Sequence, residues 1–314
     1  MSLLLLLAAL PCLYWTAGLE SAPSLKSAGV ERLCVPPEQA EAWRQAGFSV
    51  VPLDESERTS RDALPAPGIR PRADRASPTR SPWVSTNGSR FMRLSAGQYS
   101  YDLPAGKAAL AAAEAFAYGA DAVLKIDPTD VESLGKMLAF LARLPAGELP
   151  NLVDVAVVDD GGAELTEVMN LLVRRNLLFQ IVKEPAGDRR INVKLGSSEY
   201  PLREAADPGA LALKIRRQVG DEQRALRIFG SEVVIGRLTG DAARLRLHLL
   251  NYGGRELEGL RIRVRGSYSE GEAHVAGQGR VALEELARTD GFTEFSLPTI
   301  ATYAVIDMRA VRAR

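Results

Sequence analysis

The sequence predicts an α/β chain that closes with an all-β domain, and three observations carry this. First, the apolar strand pattern Val153–Val158 is followed by Asp159-Asp160-Gly161-Gly162, an amphipathic helical pattern and a second apolar strand, Leu177–Val182. Such continuous runs suit parallel strands buried on both faces. Second, residues 244–266, RLRLHLLNYGGRELEGLRIRVRG, hold two strictly alternating runs. Leu245, Leu247 and Leu249 oppose Arg244, Arg246 and His248, and Leu260, Ile262 and Val264 oppose Arg261, Arg263 and Arg265. Period two marks strands with one buried face. Third, from Leu226 onward only strand patterns occur. Ala225–Phe229, Glu232–Leu238, Arg244–Leu249, Leu260–Arg265, Glu272–Val275, Thr293–Leu297 and Thr302–Met308 follow one another with Gly-rich turns. About seven strands in ~90 residues predict an immunoglobulin-like β-sandwich.

Glu31–Val35 is a strand, Pro36-Pro37 opens a helix with Glu38 and Glu41 in its first turn, and Gly47 ends it before the strand Phe48–Leu53. Proline at a helix start and acids near its positive end are favourable, and so short a crossover fits a parallel pair. Residues 54–82 are rich in Pro, Arg, Asp and Ser without apolar periodicity, which predicts a long, poorly ordered loop. Trp83-Val84 and Phe91-Met92 flank Asn87-Gly88, a hairpin-turn signal. Residues 105–118 form an Ala-rich helix stopped by Gly119, then the strand Ala122–Ile126 and an amphipathic helix over 129–144 with Val131, Leu134, Leu138 and Leu141 on one face. In the middle region, Leu165, Val168, Met169, Leu172 and Val173 share a helix face that ends at Arg174, Arg175 and Asn176. Asp207-Pro208 caps and opens a helix to Val219.

A chain of 314 residues holds two or three domains, and 46% apolar residues permit real cores. Lys plus Arg and Asp plus Glu number 39 each, so no basic excess points to nucleic acid. Residues 3–15, LLLLLAALPCLYW, are too short for a membrane span of ~20 residues. They suit the h-region of a secretory signal, with small residues Thr16, Ala17, Gly18, Ser21 and Ala22 behind it. This predicts a signal peptide over residues 1–23 and an exported protein, periplasmic or extracellular, whose mature chain has no transmembrane span. The n-region, Met1-Ser2, carries no Lys or Arg, and the competing readings are a mis-called start codon and a buried N-terminal helix. Pro11 before Cys12 fits a lipoprotein signal poorly. Loss of Cys12 with the signal leaves Cys34 as a single thiol, most simply a small buried hydrophobe.

No phosphate loop, nucleophile elbow or H-E-x-x-H occurs. The two histidines, His248 and His274, both fall in the β-domain, which argues against a His-based triad or zinc site. No cofactor or metal is indicated, although spacing alone does not exclude an all-carboxylate calcium site. Asp159 and Asp160 follow a parallel strand, where ligands bind in open α/β sheets. Asp127 also follows a strand. At both places a turn and helix cap is the simpler reading. Trp83, Asn87, Arg90, Tyr99, Tyr101 and Asp102 cluster in sequence, and aromatic faces beside hydrogen-bonding side chains suit a saccharide pocket. The bland reading is a hairpin packed on its own aromatics. The Arg rows of residues 244–266 either bind an anionic partner or form a solvated face neutralised by Glu256, Glu258, Glu270 and Glu272.

The order of parts resembles the tail of large β-galactosidase-like glycoside hydrolases. Lys107–Leu144 is similar to the last helices of their (β/α)₈ barrel, Val153–Val182 to the first βαβ of their flavodoxin-like trimerisation domain, and Val233–Val264, with LHLLNY at its centre, to their closing sandwich. The resemblance implies a partial or reduced barrel over 24–147, a flavodoxin-like domain over 148–221 and a sandwich over 222–314. It also implies saccharide as ligand and a homo-oligomer, while a larger envelope assembly goes with a scaffold alternative. A full barrel takes roughly 200–250 residues, about twice what precedes residue 145. No strand end carries the family's Asn-Glu acid pair, so no catalytic residue is transferred. The sequence therefore predicts an exported, carbohydrate-related protein that binds saccharide or a partner without full catalysis. The alternatives are a glycoside hydrolase using Asp102, Asp127 or Asp159, and a structural envelope scaffold.

Overall fold

The computed structural model describes residues 10–70, 83–145 and 149–310. They divide into two compact units, one of residues 1–68 and 94–146 and one of residues 69–93 and 147–314. Residues 71–82 of the expected loop and residues 1–9 of the expected signal lie outside the described residues.

The first unit is built on β1 (Cys12–Tyr14), α1 (Ala22–Ser27), β2 (Arg32–Val35), α2 (Ala40–Gln45), β3 (Ser49–Pro52), α3 (Glu55–Ser60) and β4 (Asp62–Leu64). The chain then runs through the short elements β5 (Gly68–Ile69), β6 (Val84–Ser85) and α4 (Gly88–Arg93). It completes the unit with β7 (Gln98–Asp102), α5 (Ala108–Tyr118), β8 (Asp121–Lys125) and α6 (Val131–Arg143). Six strands pair in the order β3-β2-β1-β8-β7-β4, every neighbour parallel. The first strand of the unit therefore pairs with its last. Read around that seam, the strands follow chain order, as in a (β/α) barrel, and the sheet is open only between β3 and β4.

The register separates two faces. Leu13, aligned with Leu33 and Leu124, shares a face with Tyr101, whose hydroxyl donates 2.9 Å to Glu114 of α5. That is the helix side, and all four side chains are buried. Cys12, Tyr14, Cys34 and Val123 cluster on the other face with Leu53 and Val51. Gly119 ends α5 at φ 65°, and Gly135 lets α6 approach α1 so closely that a Cβ there would stand 2.0 Å from the Ala28 carbonyl oxygen.

Cys12–Trp15, part of the expected signal over residues 1–23, is buried, and its first three residues are a central strand. An apolar run serves a doubly covered strand as well as an h-region, and nothing local separates the two. Cys34 is not a lone thiol, since it is bonded to Cys12 with Cα atoms 5.8 Å apart. Residues 55–64 are not a loop. Asp54 accepts from Glu57 N (2.7 Å) and Glu57 reaches back to Asp54 N (3.1 Å), a capping box that starts α3 without any apolar stripe. The hairpin expected around Asn87-Gly88 is replaced by α4.

The second unit contains β9 (Val155–Val158), α7 (Ala163–Arg174), β10 (Phe179–Val182), β11 (Asn192–Val193) and α8 (Pro208–Val219). Its parallel sheet, ordered β10-β9-β11, agrees with the predicted βαβ. Nine strands follow, β12 (Leu226–Ile228), β13 (Val234–Gly240), β14 (Arg244–Asn251), β15 (Leu257–Arg265), β16 (Tyr268–Val275), β17 (Gly279–Val281), β18 (Glu284–Thr289), β19 (Phe292–Ile300) and β20 (Tyr303–Ala310). They form a four-stranded sheet, β12-β15-β19-β18, and a five-stranded one, β13-β14-β20-β16-β17. The α/β part is thus followed by an all-β sandwich. β17 and β18 were not legible in the sequence, because they are largely exposed edge segments.

The two alternating runs lie in opposite sheets. Leu245, Leu247 and Leu249 meet Leu260, Ile262 and Val264 in one core with Phe295, Leu297 and Ile306. The arginines point away on opposite sides, which removes most of their mutual repulsion. Their partners are not the expected glutamates: Arg244 pairs with Asp241, Arg246 with Asp307, Arg261 with Glu294 and Arg265 with Asp154. Nor is the outward face of β14 wholly solvated. His248 is buried, with Nδ1 2.6 Å from the Tyr303 hydroxyl. Burial first, then Arg237 and Arg246, holds its imidazole well below the ordinary range.

Two stability effects follow. Cys12–Cys34 closes a loop spanning 22 positions. Its reduction, or Cys34→Ala, should cost about 3 kcal/mol in urea unfolding monitored by circular dichroism. His248 stays neutral in the fold while the unfolded chain protonates below about pH 6.5, so stability falls as pH drops through that value. Between about pH 7.5 and pH 5 the wild type should lose more stability than His248→Asn in urea unfolding.

Candidate functional site

Parallel strands all end on one side, so the last residues of β1, β7 and β8 stand along one carboxyl edge. These are Tyr14, Asp102 and Lys125, and their register places all three on the face opposite the helices. Helix α3 follows β3 and brings Glu55 and Arg58 to the same place. The Arg58 side chain is only 3% exposed. It holds Glu55 by two bonds, Nη2 to Oε1 at 2.6 Å and Nε to Oε2 at 3.0 Å. It also holds Asp102, with Nη1 to Oδ1 at 3.1 Å. Its guanidinium lies 5.5 Å from the Tyr14 ring centroid, and Lys125 Nζ stands 3.4 Å from Glu55.

The electrostatics follow from this arrangement. The Arg58 hydrogen bond is the largest of the effects that hold the Glu55 carboxyl down at about 2. Burial, then the adjacent Glu55, pushes the Tyr14 phenol up to about 12. Near neutral pH the mouth therefore presents an ionised Glu55, a neutral Tyr14 and a guanidinium shared by two carboxylates. Side-chain exposures of 69% for Asp102, 50% for Glu55 and 45% for Lys125 leave acceptors and a donor facing solvent. This is hydrogen-bonding equipment of the kind that grips hydroxyl groups.

The other sequence candidates are placed as follows. Asp127 is a cap, accepting from Thr129 N at 2.9 Å and from its hydroxyl at 2.6 Å, which lowers its pKa. Nearby Asp130 is buried and receives the N–H groups of Gly106, Lys107 and Ala108 at the start of α5. Asp159, past β9, is gripped by Arg93 of α4, Nη2 to Oδ1 at 2.6 Å and Nε to both oxygens at 3.1 Å. Arg93 also bonds Thr166, so the strand-end position where ligands bind in such sheets holds a guanidinium of the chain itself. Asp160 makes a turn, accepting from Gly162 N at 2.7 Å.

The aromatic and polar cluster of residues 83–102 is divided between the two units. Trp83, Asn87 and Arg90 belong to the second unit, and Tyr99, Tyr101 and Asp102 to the first. Trp83 stacks with Arg174 at 3.8 Å, Asn87 is fully buried, and Arg90 is exposed on α4. Tyr99 and Tyr101 are buried, with the Tyr99 hydroxyl donating 2.7 Å to the Leu94 carbonyl. Of these six, Asp102 alone stands at the mouth. The sequence missed Tyr14, Glu55, Arg58 and Lys125. The Asp54-x-x-Glu57 box announces a helix there, but no local signal shows that Arg58 turns inward.

No family model matches the chain, and no curated protein matches its sequence. Solved structures do match. An α-L-fucosidase, isoenzyme 2 from Paenibacillus thiaminolyticus, aligns with a TM-score of 0.52 at 10% identity, over 71% of this chain and 62% of its own. A rhamnosidase from Novosphingobium sp. PP1Y aligns at 0.43 and 12% identity, over 88% and 38%. A GH42 β-galactosidase from G. stearothermophilus aligns at 0.38 and 8% identity, over 79% and 53%. The fucosidase alignment shows a glycoside hydrolase-like fold. The chain spans less than two thirds of the length of each of the three.

Replacing Arg58 by Met removes the clamp. The Glu55 carboxyl should then move from about 2 toward the ordinary value of about 4.3, read by NMR titration. Because the folded pKa is depressed, the clamp's contribution is present above about pH 4.3 and is lost as pH falls through about 2.

Proposed function

We propose that this chain is an exported, carbohydrate-related protein, a reduced and non-catalytic relative of glycoside hydrolases that binds a saccharide at the mouth of its open barrel. The observation that carries the reading is the Arg58 clamp on Glu55 and Asp102 at the carboxyl edge of a six-stranded, barrel-ordered sheet. Glycoside hydrolysis uses one carboxyl group held protonated beside one held ionised. Here Glu55 is driven the opposite way from an acid, and Arg58 occupies both carboxylates. The exposed atoms of Asp102, Glu55 and Lys125 instead suit a lasting hydrogen-bonded complex with sugar hydroxyls. The Cys12–Cys34 bond supports an oxidising compartment, in keeping with export.

Calorimetry against fucosides, galactosides and rhamnosides tests the binding half. One of these classes should bind, and Asp102→Ala or Lys125→Ala should weaken it about tenfold, the loss of one charged hydrogen bond. Chromogenic glycosides should be turned over no faster than in buffer. Hydrolysis that Asp102→Asn abolishes would instead establish the active-enzyme alternative, and absence of binding to every class would remove the saccharide reading.

A further inference from the structure

We propose that the outer face of the four-stranded sheet β12-β15-β19-β18 is a binding platform for an anionic polysaccharide. This surface is separate from the mouth, and the proposal does not depend on it. Alternation along β15 brings Arg261, Arg263 and Arg265 to this face at a repeat of ~7 Å, two strand residues. The register sets Arg227 of β12 opposite Arg263, and Glu294 of β19 opposite it on the other side. Two phenylalanines sit among these arginines. Arg227 and Arg261 lie 4.7 and 5.9 Å from the Phe229 ring centroid, and Arg263 lies 3.8 Å from that of Phe292.

Ion pairs fix the planar groups without using them up. Glu222 bonds Arg227 and Arg263, Glu294 bonds Arg261, and the buried Asp154 carboxylate receives Arg265 at 3.3 Å. A guanidinium has five N–H donors, and the bonds to Arg261 and Arg265 engage one nitrogen of each. Their side chains remain 61% and 47% exposed. Four guanidinium groups thus meet three carboxylates, exposed Glu222 and Glu294 and buried Asp154, and Glu258 lies further along β15. The further acids Glu284 and Glu285 belong to the edge strand β18, where Glu285 accepts from Ser296 at 3.1 Å. A row of arginines repeating every two strand residues and interleaved with aromatic rings suits a linear polymer with regularly spaced carboxylates and apolar sugar faces. A compact anion or a neutral glycan would use only part of it.

Affinity electrophoresis and calorimetry of the full chain with polygalacturonate test this, with dextran as neutral polymer and single-stranded DNA as a second polyanion. The expected result is retardation by polygalacturonate that weakens with salt. Arg261→Gln/Arg265→Gln should raise Kd at least tenfold, Arg261→Lys/Arg265→Lys should recover part of the loss, and Lys136→Gln, an exposed position of the first unit, should leave binding unchanged. Equal melting temperatures confirm that the variants fold. Equal retardation by dextran, insensitivity to the double substitution, or no retardation overturns the proposal. Tighter binding to DNA than to polygalacturonate overturns it in favour of a nucleic-acid surface. Loss of binding in Asp102→Ala alone would return recognition to the mouth and overturn the platform.

Discussion

The pairing of β1 with both β2 and β8 is the constraint on which the first unit depends. Without this strand, the sheet falls into β3-β2 and β8-β7-β4, and neither fragment encloses anything. Only three residues, Cys12–Tyr14, form the junction, and every one is buried. Leu13 lies among the helix-side apolar residues while Cys12 and Tyr14 face the other way, so the strand has no solvated side. Ladder hydrogen bonds in a strand this short give little holding power. The covalent bond from Cys12 to Cys34 supplies it, fixing β1 to β2 across the sequence interval that contains α1.

Opening the barrel between β3 and β4 also explains the mouth. In the barrel plan a helix that follows a strand packs on the outside of the sheet. Helix α3 instead places Glu55 and Arg58 against Tyr14, Asp102 and Lys125, which lie on the face opposite the helices. A guanidinium removed from water in this way is stable only with carboxylates in contact, and Glu55 and Asp102 provide them. The same interactions that let Arg58 be buried thus fix the protonation state of Glu55. Structure and chemistry at this edge are one ion network rather than a scaffold with a separate site.

The sandwich resolves its arginines by topology. β14 and β15 are consecutive in the chain but enter different sheets, so their leucines converge on one core while their charges diverge. On the β15 side, rings and glutamates hold the guanidinium groups flat. On the β14 side, part of the outward row is buried and a neutral His248 meets Tyr303. One alternating pattern therefore yields two unlike surfaces.

The sequence by itself determined the secondary structure wherever one face or both faces of an element are apolar. The two βαβ units, α5 with its Gly119 stop, α6, α8 and the seven more regular strands of the sandwich were legible for that reason. Polar elements were not: α3 rests on a capping box, and β17 and β18 are exposed edges without apolar alternation. Asp102 was legible as a candidate because it ends a strand beside aromatics, whereas Tyr14, Glu55, Arg58 and Lys125 come from separate elements and meet only when the sheet forms. The apolar run at residues 12–15 shows the limit most plainly. Hydrophobicity states that a segment must leave water, and only the tertiary structure decides where it goes: here, into the seam of an open barrel, bonded to Cys34.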